Sequence, residues 1–123
     1  MSEIHEQLVA LEKHRKDAEA AIERRDTLLR LSENKDFKRL IREEFMVREC
    51  ARFVEQSVNP VLKPEERSDA LAKAQAAGHL KQYLSVIILQ GNTAENSLVE
   101  IDEHIAELRA LESADDDEDS ELS

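Results

Sequence analysis

Aromatic residues are scarce in this chain: among 123 residues there is no tryptophan, one tyrosine and three phenylalanines. A compact globular core draws much of its bulk from aromatic rings, so narrow seams of aliphatic side chains are expected instead. Only two glycines and two prolines interrupt the sequence. Isolated glycines cannot build a phosphate-cradling loop, and a chain dominated by Ala, Leu, Glu, Lys and Arg has the composition of long helices. The single cysteine, Cys50, can form no internal disulfide. No apolar run approaches the ~20 residues that span a bilayer, and the opening MSEIHEQL lacks the basic start and apolar core of a secretory signal. Synthesis in the cytoplasm is therefore expected, with no membrane partner.

Site chemistry is sparse as well. None of His5, His14, His79 and His104 lies three residues after a glutamate, as the Glu-x-x-His pair of di-iron bundles requires. No His-Glu-x-x-His pair is present. Glu100 and His104 share a helix face beside Asp102 and Glu103, which reads as a solvated acidic surface. Cys50 has no CxxC companion and sits among apolar residues, as a core thiol does. Packings of two or three helices offer few water-excluding pockets. The expectation is a protein with no catalytic, cofactor-binding or metal site, and not an enzyme.

Charge is plentiful and uneven. The net charge is −11. Residues 1–112 hold all 17 basic residues against 22 acidic ones, a net of −5, while residues 113–123 hold six acids and no base, a net of −6. Phosphate backbones would be repelled by such a surface, so direct nucleic-acid binding is disfavoured. With only Ala114 and Leu122 as apolar residues, the stretch 113–123 is expected to be a disordered acidic tail.

Two stretches carry heptad-like seams. Leu84, Ile87, Gly91, Ala94, Leu98, Ile101, Ile105 and Leu108 recur at alternating steps of three and four. Near the N-terminus, Ile4, Leu8, Leu11, Arg15, Ala18, Ile22, Arg25 and Leu29 do the same. Arg15 and Arg25 sit within that seam. Either their aliphatic stems pack while the heads reach water, or they pair with acids of a facing helix and fix its register. The two seams have similar lengths, and the chain must reverse between them, so they are expected to run antiparallel. A simple register sets Leu29 near Ile87, Ile4 near Leu111, and Arg15 near Glu100 and Glu103.

In chain order, a first helix is predicted over about 2–31, followed by a polar break at Ser32–Asp36 in which Asn34 or Asp36 caps the next helix. A second helix over 37–57 holds all three phenylalanines, Phe37, Phe45 and Phe53, as the core of a small head would. Pro60 and Pro64 mark a loop that Val61 and Leu62 should anchor, and Pro64 opens a new helix with Glu65 and Glu66 behind it. From there the helical signal runs to Glu112. Gly78 lies among alanines, where it would permit close packing, and Gly91 either kinks or ends the helix, with the unbroken seam favouring one long helix. The run Tyr83–Leu89 is the most apolar in the chain and should be where three helices meet. The fold expected is all-α: an antiparallel helical coiled-coil hairpin (1–32 with 91–112), a small helical head (36–90) within one elongated domain, 1–112, and the acidic tail.

The remaining feature is basic. Lys35, Lys38, Arg39 and Arg42 fall together at the start of the second helix, and Met46 and Phe53 lie off its main apolar stripe. These six form the candidate interaction surface, with Met46 and Phe53 read either as an exposed contact or, preferably, as the far side of the head core. Its lysines and arginines either pair with neighbouring acids such as Asp36 and Glu49, or meet an acidic partner or make a local phosphate contact.

The pattern Asn34-x-Asp36-Phe37-Lys38-x-Leu40-Ile41, with Ala51-Arg52-x-Val54, Asn59-Pro60-x-Leu62-x-Pro64-Glu65, His79-Leu80-Lys81-x-Tyr83-Leu84 and Gly91-x-x-Ala94-Glu95, resembles small helical proteins encoded in the structural-gene region of tailed bacteriophages. The resemblance covers about residues 30–112 and brings no catalytic motif. It implies a virion-assembly protein or minor virion component whose partners are capsid, portal or other virion proteins, found in the host cytoplasm during synthesis and in the virion. Self-association as a homo-oligomer is expected because two seams alone bury little. The alternative is a small acidic phage regulator that binds and inhibits a host nucleic-acid enzyme, its tail imitating phosphate charge.

Overall fold

The computed structural model describes the backbone of residues 2–122 and the side chains of residues 3–115, and the described residues contain helices and no strand. Helix α1 spans Ser2–Glu33, α2 Lys35–Phe37, a π-helix Lys38–Glu49, α3 Cys50–Ser57 and α4 Pro64–Leu122. The chain is all-α. Contacts gather it into two compact units: residues 1–25 with 90–123, and residues 26–89.

The elements begin and end for local reasons. The predicted break narrows to one residue, Asn34, whose extended backbone (φ −66°, ψ 126°) parts α1 from α2. Its Oδ1 accepts hydrogen bonds from the backbone N–H groups of Asp36 (2.9 Å) and Phe37 (3.1 Å), satisfying donors that a new helix leaves free. From Lys38 the helix widens, and the Cys50 N–H donates both to the Phe45 carbonyl, five residues back, and to that of Val47. Phe37, Ile41, Phe45, Glu49 and Phe53 recur every four residues and are all half-buried. In an α-helix each such step drifts by about 40°; a wider turn removes part of that drift and keeps the repeat on one face. After α3, Asn59 Oδ1 accepts from the Val61 N–H (3.0 Å) and its carbonyl from the Leu62 N–H (3.2 Å). Leu62 is half-buried, but Val61 is 88% exposed and anchors nothing. The turn is held by the Asn59 side chain instead.

Helix α4 passes through Gly78 and Gly91 without a break. It also takes in Ser113, Ala114 and Asp115, all exposed, so the disordered tail expected from residue 113 does not begin there. Adding a residue to an existing helix needs only the hydrogen bond back to the preceding turn, not burial. The rest of that expectation concerns residues 116–123, whose side chains lie outside the described residues.

In the unit of residues 1–25 and 90–123, the core is Leu8 with Ile105 and Leu108, and Ile4, Leu11 and Ile101 pack against it. Ala18 and Gly91 are buried; Ile22, Ala94 and Leu98 are half-buried. Arg109 pairs with Glu12 (3.0 Å), Arg15 with Asp102 (3.2 Å) and Arg25 with Glu95 (2.6 Å). Numbers rise in one segment as they fall in the other, so the two segments run antiparallel. Arg15 takes Asp102, and also its own-helix neighbour Glu19 (3.3 Å), rather than the expected Glu100 and Glu103.

In the unit of residues 26–89, Leu28, Ser32, Ala70, Ala74, Ala77 and Ile87 are buried, and Leu84 is half-buried. Leu29, expected in the seam, is 47% exposed, whereas Leu28 is 6% exposed. The inward residues of α1 step by three, three and four through Ile22, Arg25, Leu28 and Ser32, which re-phases the seam past Leu29. The three phenylalanines are half-buried, so small alanines and not aromatic rings form the tightest packing here. The run Tyr83–Leu89 is only partly used: Ile87 is buried, Leu84 and Ile88 are half-buried, and Tyr83, Val86 and Leu89 stay exposed. The expected meeting of three helices along that whole run is corrected accordingly.

Candidate interaction surfaces

The most constrained polar arrangement is built around Arg25. Its side chain lies across Gly91 of α4, and a Cβ added at Gly91 would come within 2.3 Å of Arg25 Cβ and 2.6 Å of its Cδ. The glycine is there because the arginine stem occupies the space a side chain would take. The guanidinium then donates through NH1 to Asn92 Oδ1 (2.9 Å) and to Glu95 Oε2 (2.6 Å). Arg25 is 9% exposed while the Glu95 side chain is largely exposed. A buried guanidinium is tolerable only when its donors are matched, and here a charge-assisted bond and an amide oxygen take the N–H groups of Nη1. Of the two readings of the seam arginines, Arg25 follows the second. It pairs across helices, at positions one and four residues past the glycine, so the register of this crossing is fixed. Arg15 is exposed, with its head on Asp102 of the facing segment and on Glu19 of its own helix.

The six residues expected to form one interaction surface differ in their surroundings. Lys35, Lys38 and Arg39 are exposed, and Arg39 faces Asp36 at 3.7 Å. Arg42 turns to α1, donating to the hydroxyl of the buried Ser32 (2.9 Å). Phe53 is half-buried between two cations, with the Arg52 guanidinium 4.6 Å and the Lys73 ammonium 5.4 Å from its ring centre. The Glu49 carboxylate accepts a hydrogen bond from Arg52 and raises the arginine pKa above its ordinary value, so the cation over the ring keeps its charge. Cys50 is half-buried, its thiol 3.8 Å from the Ala74 carbonyl, which suits a packed thiol.

Met46 joins Arg42 in a groove of about 320 Å³. Leu28, Val47, Leu84 and Ile88 give it an apolar lining, and Arg42, Lys81 and Ser85 supply the polar atoms. Arg42 and Met46 were named from sequence for the interaction surface, and Leu84 for the seam. Lys81, Ser85 and Ile88 could have been found with Leu84, because their three- and four-residue spacing puts them on one helix face; Leu28 and Val47 lie on other helices and carry no such signal. Among the described residues no group of three or more His, Cys, Asp and Glu is placed to hold a metal, and no helix is long and apolar enough to cross a membrane. No family model, curated protein or solved structure matches this chain.

Proposed function

We propose that this protein is a non-enzymatic assembly protein that works through helix-to-helix contacts with other proteins. The observation that carries the reading is the number of large apolar side chains left in water in one unit. Eleven are exposed in residues 26–89, from Leu29 and Leu31 to Val86 and Leu89. Single exposed apolar residues are ordinary, but so many in a stretch of this size mark a contact surface. The proposed scaffold is an antiparallel coiled-coil hairpin of the first and last segments, supported by the Leu8–Ile105–Leu108 cluster and the Arg25–Glu95 pair. The resemblance over residues 30–112 points this role toward phage virion assembly, with capsid, portal or other virion proteins as partners. Quantitative mass spectrometry of particles purified from cells carrying the gene tests it. Stoichiometric presence in mature particles supports a virion component, presence only in immature heads supports a scaffold, and absence from both removes the virion role.

A second reading is favoured by a different observation: residues 90–123 carry twelve acids and a single base, Arg109. Such a segment suits a regulator that occupies the phosphate-binding surface of a host nucleic-acid enzyme. Pull-down from host lysate with the full chain and with residues 1–112 decides it; recovery of no polymerase or nuclease by either sinks this reading.

A further inference from the structure

Helix α4 carries a stripe without charge across residues 71–89. Leu71, Gln75, Gly78, Gln82, Val86 and Leu89 are all exposed. Eighteen residues make five turns at about 3.6 residues per turn, so Leu71 and Leu89 point the same way and the six residues form one line along the helix. None of them is charged, in a chain of which 37% of residues are. Gly78 adds an independent observation. A glycine inside a helix costs about 1 kcal/mol against alanine. At Gly91 the Arg25 stem needs the space. At Gly78 a Cβ would meet nothing within 4 Å, so its own chain makes no use of the missing side chain. What remains is a notch in an exposed, uncharged face, open to a group from outside the chain.

We propose that this stripe pairs antiparallel with the same stripe of a second copy, about a two-fold axis beside Leu80. The stripe is its own complement in that register. Leu71 meets the partner's Leu89, Gln75 lies beside the partner's Val86, and Gly78 receives the side chain of the partner's Gln82. A symmetric dimer requires such self-complementarity. Charge selects the same face. Each copy carries −11, so two copies repel wherever charged faces meet, and the uncharged stripe opposes their approach least. A single helix face, roughly 27 Å long at the helical rise, covers less area than a standard interface, so the pairing is weak, with a dissociation constant on the order of 10 µM or above. It rests on this stripe and not on a virion role, so sedimentation and particle composition fail separately.

Sedimentation equilibrium of the full chain from about 10 to 300 µM tests the pairing. The average mass rises toward twice that of the monomer. Val86→Glu weakens association at least about tenfold with the circular dichroism spectrum unchanged, while Val99→Glu, at an exposed position of α4 outside the stripe, leaves it unaltered. Register is read by mixing Leu71→Cys and Leu89→Cys proteins, each with Cys50→Ala, under mild oxidation: the 71–89 heterodisulfide dominates. A monomer at every concentration, association indifferent to Val86→Glu, or a preference for 71–71 and 89–89 disulfides would each overturn the proposal.

Discussion

The two units of this chain share helices α1 and α4, and residues 26–89 add α2, the π-helix and α3, yet the two use their apolar residues in opposite ways. Residues 1–25 and 90–123 leave three large apolar side chains exposed among their described residues, Val9, Val99 and Leu111, while residues 26–89 leave eleven. The first unit holds 6 basic and 18 acidic residues, a net of −12; the second holds 11 and 10, a net of +1. The first unit turns its leucines and isoleucines onto itself and presents acid to its surroundings, a surface that resists association with anything anionic, including its own copies. The second is close to neutral and keeps apolar groups in water. Burial and apolar exposure thus concentrate in different stretches of the sequence, and substitutions of one chemical kind should have unlike effects in the two.

The strongest test of that division is a carboxylate placed in each. Ile105 is 4% exposed at the centre of the Leu8–Leu108 cluster. Ile105→Asp buries a charge with no partner, and a loss on the order of 3–5 kcal/mol is expected, read as a lower urea midpoint and a lower melting temperature by circular dichroism. Leu71→Asp, at an exposed site of the other unit, should change stability by no more than about 0.5 kcal/mol. Comparable losses at both positions would erase the contrast.

A finer version uses adjacent residues. Leu28→Ala should cost about 2–3 kcal/mol, since it empties a buried site, whereas Leu29→Ala next to it should fall within about 0.5 kcal/mol of the parent. The pair also shows where sequence reading stops. From Leu84 to Leu108 the alternation of three and four admits one phase, and every one of its positions is buried or half-buried. Leu28, Leu29 and Leu31 crowd into four residues, so more than one continuation of the seam fits. Only the packing at Arg25 and Ser32 chooses between them. The partners of the basic surface were hidden for a related reason. Its residues are neighbours along the helix, but Arg42 answers Ser32 ten residues away, and a hydrogen bond between helices leaves no periodic signal. The widened helix from Lys38 to Glu49 had a trace in the four-residue repeat, though a repeat of four is also compatible with a drifting α-helical face.

The glycines carry the comparison to single atoms. Gly91→Ala forces a methyl group against Arg25 Cβ, an atom tied to the backbone of α1 that cannot swing aside. Overpacking of this kind costs about 1–3 kcal/mol, and denaturant unfolding should show the loss with an unchanged slope. Sequence alone offered a kink or a helix end at this position and favoured one long helix, which α4 is. The reason for the glycine lies on another helix, 66 residues away in the chain, which local propensity cannot report.

Gly78→Ala has the opposite sign and is the smallest effect expected. The site is helical, exposed and open, with no atom within 4 Å of the new methyl group. Alanine restricts the unfolded chain more than glycine does and loses nothing in the folded one, so a gain of about 0.5–1 kcal/mol follows. For a domain of this size that is a rise of roughly 2–4 °C in melting temperature. The measurement belongs at low micromolar protein, below the concentration at which copies pair. There the substitution reports only the intrinsic cost of a helical glycine. Raising the concentration sharpens the contrast with Gly91. If the notch at Gly78 receives the partner's Gln82, the alanine fills it and weakens pairing, so the advantage over the parent shrinks as dimer forms. A gain that stays constant across concentration would leave the notch without an occupant. A loss at low concentration would mean that Gly78, like Gly91, is held by contacts within its own chain.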